Sequence, residues 1–278
     1  MTMTYQELFD WTEKKLMQAG IEEYHADAWI LMSYYLNMDR SAYCLHQQEE
    51  ISEEKEKMLQ ELQQAVEKRC RRIPVQYIIG EQEFMGLSFL VNENVLIPRY
   101  DTEVLAEKVI AFCKGKTVLD VCTGSGCLAI SIAKLGKPAK VDALDISLKA
   151  LQVAEKNAKK LDARVNFFQS DMFQSVSEQY DCLVSNPPYI ESAVIQTLSP
   201  EVKVHEPSLA LDGGEDGLDF YRSIASQGKK YLKTGGMIFL EIGYNQGQEV
   251  SDILAHAGYH DIKVYKDYAG LDRVITAN

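Results

Sequence analysis

From Thr117 onward, short apolar runs alternate with stretches of helical spacing, and this alternation limits the fold more than any other feature of the chain. The runs are Val118-Leu119, Val141 to Leu144, Val165 to Phe168, Cys182 to Val184 and Met237 to Leu240, with a closing pair at Ile262 to Val264 and Arg273 to Ile275. Helical patterns such as Leu148 to Lys160 and Tyr221 to Leu232 fall between them. Continuous apolar runs of strand length, joined through helices, specify an α/β fold whose mostly parallel sheet is covered on both faces. Ligands of such sheets bind beyond the carboxyl ends of the strands, so the chemistry is expected in the loops that follow them.

Ahead of that region the pattern is purely helical. Thr4 and Glu7 stand in capping-box spacing, where hydroxyl and carboxylate satisfy free N–H groups at a helix start. Leu8, Leu16 and Met17 follow on one expected face, and Gly20 is placed to stop the helix. Ala26, Trp29, Ile30 and Tyr34 repeat the spacing, as do Met58, Leu62, Val66 and Cys70 after an expected cap at Ser52. A small helical bundle over residues 1–72 follows. Arg71-Arg72-Ile73-Pro74 ends it, because proline disfavours helix in the residue before it. Tyr77 to Ile79, Glu83 to Met85 and Leu87 to Val91 then read as short strands with turns at Gly80 and Gly86. The expected organisation is a linker with a β-hairpin over residues 73–103 and the α/β domain over residues 104–278.

Bulk properties narrow the partners. With 29 basic and 41 acidic residues the formal charge is -12, which disfavours a surface built to grip a phosphate backbone and suits a basic protein partner. No direct nucleic-acid binding is expected. The six cysteines form no C-x-x-C pair, and no His/Cys cluster has zinc spacing, so reduced thiols and no metal are the expectation. Met1 to Trp11 carries Glu7 and Asp10 and no apolar signal core, and no run reaches membrane length. A cytoplasmic chain without a membrane partner is expected.

The first strand-end loop is Asp120-Val121-Cys122-Thr123-Gly124-Ser125-Gly126, leading into a helix from Leu128 to Lys134. Glycines at such a turn let the backbone approach a ligand, and the helix N-terminus behind it favours an anionic group. Gly124, Gly126 and Ala129 also satisfy the looser dinucleotide fingerprint, with Asp145 about twenty residues on to hold a ribose. Taken alone, the loop fits NAD and S-adenosylmethionine equally. Its structural alternatives are a plain tight turn at the glycines and a helix cap at Asp145. Asp171, after the third strand, fits two readings equally: an acceptor for an adenine amino group, with the N–H of Met172 meeting the ring, or a plain loop or cap aspartate.

The fourth strand runs directly into Asn186-Pro187-Pro188-Tyr189. Two prolines end the strand and fix the backbone, so the Asn side chain and the Pro187 carbonyl project rigidly. An amide or exocyclic amine nitrogen has its lone pair tied up in resonance. Two rigid acceptors suit its methylation, because they hold its N–H groups while the lone pair is aimed at an electrophile, and Tyr189 packs against the planar group. A nicotinamide dehydrogenase needs a proton donor at the substrate carbon, which this motif lacks. S-adenosylmethionine is the better fit.

Those residues resemble the HemK/PrmC family, N5-glutamine methyltransferases of peptide chain release factors. The resemblance covers nearly the whole chain. It includes Pro74 to Gly80, Leu96-Ile97-Pro98-Arg99-Tyr100-Asp101-Thr102-Glu103, the glycine loop, Asn186 to Tyr189, His205-Glu206-Pro207, Asp212-Gly213-Gly214-Glu215-Asp216-Gly217-Leu218 and Ala269-Gly270-Leu271-Asp272-Arg273. It implies a class I, Rossmann-like methyltransferase domain behind an N-terminal helical bundle that recognises substrate. It also implies S-adenosylmethionine as methyl donor and the glutamine of a class I release factor's Gly-Gly-Gln motif as acceptor. The expected cofactor-binding residues are Asp120, Cys122, Thr123, Gly124, Ser125, Gly126, Asp145, Asp171, Met172 and Asn186. The expected catalytic residues are Asn186, Pro187 and Tyr189, with Pro188 joining them in substrate binding. Cys122 departs from the family pattern, which has glycine there. A ribosomal-protein glutamine and an exocyclic amine of nucleic acid are the competing acceptors.

Overall fold

The computed structural model describes residues 3–278, so Met1 and Thr2 of the N-terminal stretch lie outside the described residues. The chain forms two compact units. One holds the described residues up to Gly80 together with Pro200–His205, and the other holds Glu81–Ser199 and Glu206–Asn278.

The helical unit contains α1 (Tyr5–Gln18), α2 (Tyr24–Leu36), α3 (Arg40–His46), α4 (Glu56–Cys70) and α5 (Val75–Ile79). The capping box forms: Glu7 N donates to Thr4 Oγ1 at 3.2 Å and Thr4 N to Glu7 Oε2 at 2.9 Å. Leu8, Leu16, Leu31 and Leu62 fill the core. Met17, by contrast, is 52% exposed, and α2 buries Asp27, Ala28, Leu31, Met32 and Leu36 rather than the face through Ala26, Ile30 and Tyr34. Helix α2 is apolar almost all round, so its periodicity cannot say which side packs. Ser52 opens a 3-10 turn, Glu53–Lys55, ahead of α4 instead of capping α4 itself.

The run from Tyr77 to Ile79 is helical, not a strand. Tyr77 N and Ile78 N both donate to Pro74 O, and left-handed Gly80 (φ 79°) closes the single turn of α5. A short apolar run carries no period that separates helix from strand.

The second unit opens with an antiparallel hairpin, β1 (Glu81–Phe84) and β2 (Leu87–Leu90), followed by α6 (Glu103–Phe112). Then come β3 (Thr117–Val121), α7 (Cys127–Leu135), β4 (Lys140–Asp145), α8 (Leu148–Lys160), β5 (Asn166–Gln169) and β6 (Tyr180–Ser185). The chain ends with α9 (Asp219–Gly228), β7 (Leu232–Glu241), α10 (Gly247–His256), β8 (Lys263–Lys266) and β9 (Asp272–Ala277). The helix expected to reach Leu232 stops at Gly228, because Leu232 already begins the ten-residue β7.

The seven strands are ordered β5-β4-β3-β6-β7-β9-β8, parallel from β5 through β7, with β9 antiparallel to both its neighbours. Two apolar clusters cover the sheet, one around Ala129, Ile130 and Phe89 and the other around Tyr221, Leu254 and Phe173. The chain runs outward from β3 to β5 and returns on the other side of β3 at β6. The crevice of such a sheet opens at this switch point, beyond the ends of β3 and β6. No helix among the described residues is long and apolar enough to cross a membrane.

Candidate active site

Val121 and Ser185, the last residues of β3 and β6, are paired, so the glycine loop and Asn-Pro-Pro-Tyr leave neighbouring strand ends. Ser185 Oγ donates to Val121 O at 2.6 Å and ties the two exits together. Beyond them lies an open cleft. Cys122, Thr123, Gly124, Ser125, Asp145, Asp171, Met172, Asn186 and Pro188 line it. Of the residues singled out in the sequence, Asp120, Gly126, Pro187 and Tyr189 are not part of its lining.

Each of those four has a distinct structural position. Asp120 is buried and accepts from Thr123 Oγ1 at 2.6 Å, and burial raises its carboxyl to about 7. Gly126 caps α7 with φ 79°, and a Cβ there would stand 3.0 Å from both Ala154 Cβ and Ile130 Cδ1, so close packing requires glycine. Pro187 is buried. The Tyr189 hydroxyl donates to Glu241 Oε1 at 3.2 Å.

Asp145 shapes the loop. Its Oδ2 accepts from Gly124 N and its Oδ1 from Ser147 N, both at 2.9 Å, and burial raises its carboxyl. The cap of α8 is Ser147, whose Oγ accepts from Ala150 N at 3.2 Å. Asp145 is thus free of capping duty and keeps lone pairs for a ligand. Cys122 sits at φ 63°, a left-handed conformation that glycine adopts without cost, which accounts physically for glycine at this position in the resembling family. Burial pushes its thiol far up. Asp171 is exposed, and Met172 is also left-handed at φ 45°.

Several supporting residues carried no role in the sequence. Asn157 of α8 donates to Leu90 O and Ser125 O and accepts from Leu90 N, fastening the hairpin to the glycine loop. Thr102 Oγ1 accepts from Asn186 Nδ2 at 3.3 Å. Arg99, on the cleft wall, pairs with buried Glu206, which also accepts from Ile97 N at 3.3 Å. Gln246 Nε2 donates to Tyr189 O at 3.0 Å. The Asp212 to Gly217 segment clamps the same turn: a Cβ on Gly217 would meet Tyr189 O at 2.5 Å, and one on Gly213 would meet Tyr189 Cα at 2.8 Å. Thr102, Glu206 and the glycines lie in the quoted motifs, which was their only signal. Pro207, Leu209 and Ala210 also line the cleft.

Known proteins match this arrangement. Residues 7–80 match the model of the PrmC N-terminal domain, and residues 100–206 that of the methyltransferase small domain. A release factor glutamine methyltransferase of Clostridium acetobutylicum is 43% identical over 94% of this chain and 94% of its own length. Another, of Geobacter sulfurreducens, is 38% identical over 98% of this chain and 95% of its own. The chain belongs to the release factor glutamine methyltransferase family. A solved methyltransferase of Pyrococcus furiosus, 18% identical, superposes with a TM-score of 0.58 over 76% of this chain and 97% of that one, which shows the shared class I fold. Family membership makes the chain a methyltransferase, and the cleft at the switch point is where its fold places a ligand.

Proposed function

We propose that the chain transfers a methyl group from S-adenosylmethionine to the side-chain amide nitrogen of the glutamine in the Gly-Gly-Gln motif of class I peptide chain release factors, in the cytoplasm. The observation that carries this reading is the pairing of Val121 with Ser185, which sets a carboxylate-held glycine loop beside a proline-fixed amide in one cleft.

The residues fit the cofactor. Gly124 N donates to one Asp145 oxygen and Ser147 N to the other, and the four lone-pair sites of a carboxylate leave room for a ribose hydroxyl. A Cβ on Gly124 would meet nothing within 4 Å, so that side of the loop is open to a ligand. Cys122, Thr123 and Ser125 complete the cradle, Asp171 and the N–H of Met172 are placed for the adenine edge, and Asp120 and Gly126 hold the loop from behind. When bound, the cofactor supplies an electrophilic methyl group on a sulfonium sulfur and leaves as S-adenosylhomocysteine.

The protein's part is positioning. Asn186 Oδ1 and the Pro187 carbonyl accept the two N–H bonds of the glutamine amide and aim its nitrogen along the line of transfer. Pro187 and Pro188 fix the turn, and Tyr189 anchors it through Glu241. The amide proton becomes acidic only as nitrogen takes positive charge, so no base must act before attack. The helical region, residues 1–72, recognises the protein substrate in this reading, and residues 73–103 link it to the methyltransferase domain, 104–278.

Labelled S-adenosylmethionine offered with separate pools of release factor, ribosomal protein and DNA tests the proposal. Label is expected on the release factor glutamine. Label confined to the ribosomal proteins or the DNA would overturn it.

A further inference from the structure

The charges along the cleft are ordered. The strand order β5-β4-β3-β6 sets Asp171, Asp145, the glycine loop and Asn186 in that sequence across it, so both carboxylates stand toward the β5 side. At the β6 side, Asn186 Nδ2 donates to Thr102 Oγ1 at 3.3 Å. That bond brings in the turn from Arg99 to Thr102, which Thr102 N closes by donating to Arg99 O at 3.1 Å. Among the described residues that line the cleft, Arg99 is the one Lys, Arg or His.

A buried carboxylate fixes the guanidinium. Glu206, whose side chain is 1% exposed, accepts from Arg99 Nη2 with one oxygen and from Ile97 N at 3.3 Å with the other. The Arg99 side chain itself is 41% exposed. A guanidinium carries five N–H donors and no acceptor, and among the described residues the Arg99 side chain hydrogen-bonds to Glu206 alone, so the pair shows the cleft free donors. An ion pair with one buried partner adds little to stability over apolar packing, but it does hold a planar, donor-only group in one place.

The cofactor proposed above is charged in the matching order. With adenine at Asp171 and ribose at Asp145, the sulfonium must lie beside Asn186 for transfer, and the amino-acid tail runs on to the Arg99 end. That tail carries the cofactor's single anionic group, a carboxylate, whose planar pair of oxygens suits a guanidinium. We propose that Arg99, held by Glu206, binds the carboxylate of the S-adenosylmethionine amino-acid tail. The inference rests on the cofactor reading above and deepens it: the Asp145 end takes any adenosine, and Arg99 selects those that bear an amino-acid tail.

Calorimetric titration of the full-length chain with two probes decides this. S-adenosylhomocysteine carries the tail, and methylthioadenosine has the same nucleoside and sulfur without it. In Arg99→Met the Kd for S-adenosylhomocysteine should rise on the order of 10-fold to 100-fold, the usual worth of a hydrogen bond between charged groups, while the Kd for methylthioadenosine holds. Arg99→Met leaves the Glu206 carboxylate buried alone, so the same pair of titrations on Arg99→Met with Glu206→Gln, which orphans no charge, gives the result should the single variant unfold. Arg99→Lys keeps the charge without the planar fork and should fall between Arg99→Met and the unaltered protein. Three results would overturn the proposal: an unchanged Kd for S-adenosylhomocysteine, a tighter one, which would place the ammonium at Arg99, and an equal loss for both probes, which marks a merely structural role. An unaltered protein that binds neither probe would overturn the cofactor reading and the proposal together, whereas one that binds both as tightly as its variants do would refute the role of Arg99 alone.

Discussion

Asp145 Oδ2 accepts the backbone N–H of Gly124 at 2.9 Å, so the carboxylate at the end of β4 holds the loop that leaves β3. Asp145→Ala removes both that brace and the expected ribose partner. S-adenosylmethionine binding should weaken by roughly 1–3 kcal/mol, the usual worth of a charged hydrogen-bond partner. Calorimetric titration reads it directly, and an unchanged Kd would restrict Asp145 to shaping the loop.

Gly217→Ala should both destabilise and inactivate. The residue sits at φ 73°, and its new Cβ would stand 2.5 Å from Tyr189 O, so the turn bearing the acceptor residues must shift. Strain of this kind costs about 1–3 kcal/mol. Thermal unfolding should show a lowered Tm, and the surviving folded protein should bind cofactor better than it turns over. A Tm equal to that of the unaltered protein would refute the close approach.

What was legible in the sequence, and what was not, divides by range. The Thr4–Glu7 cap, the extent of α8 from Leu148 to Lys160 and the strand-end positions of the glycine loop and Asn186 depend on neighbours within a few residues, and the chain declares them locally. Tyr77 to Ile79 was misread because three apolar residues have no period, and Pro74 with Gly80 closes a helical turn around them. Pro200–His205 packs with the helical unit although it follows the acceptor motif in sequence, and no spacing rule announces a return of that kind. Thr102 meets Asn186, and Glu241 meets Tyr189, only through tertiary packing, which local spacing does not announce.

The helical unit has its own buried network. Arg69 Nε reaches Asp27 at 2.6 Å, another Arg69 nitrogen reaches Glu201 at 2.9 Å, and Arg72 meets Glu201 at 2.8 Å. Arg69→Ala leaves the Asp27 carboxylate buried alone and should cost about 3–5 kcal/mol. Replacing Asp27 by leucine in the same protein should recover much of that loss, since no orphaned charge remains. Urea unfolding of both variants checks it. Equal stability of Arg69→Ala and the unaltered protein would show that the pair is not buried in solution.

Stability should depend on pH through Asp120. Burial raises its carboxyl from 3.8 to about 7, so between those values the folded chain holds a proton that the unfolded chain has released. The stability contributed by that proton is present in full below 3.8 and is lost as pH rises through about 7. Asp120→Asn removes the group, so unfolding free energies of the cofactor-free proteins should diverge across this window, with the unaltered protein falling relative to the variant. Parallel curves would show an ordinary, ionised Asp120.

The central claim is that the Asn186 side-chain oxygen holds the acceptor amide, and Asn186→Leu tests it most directly by keeping the approximate shape while deleting that oxygen. Turnover on release factor should fall by on the order of 10²–10³ or more, as for loss of one preorganised hydrogen-bonding group in the transition state. Cofactor affinity, measured on the same preparation, should change far less, because in the proposed reading the glycine loop and Asp145 carry that binding. Near-normal turnover in Asn186→Leu would contradict the account.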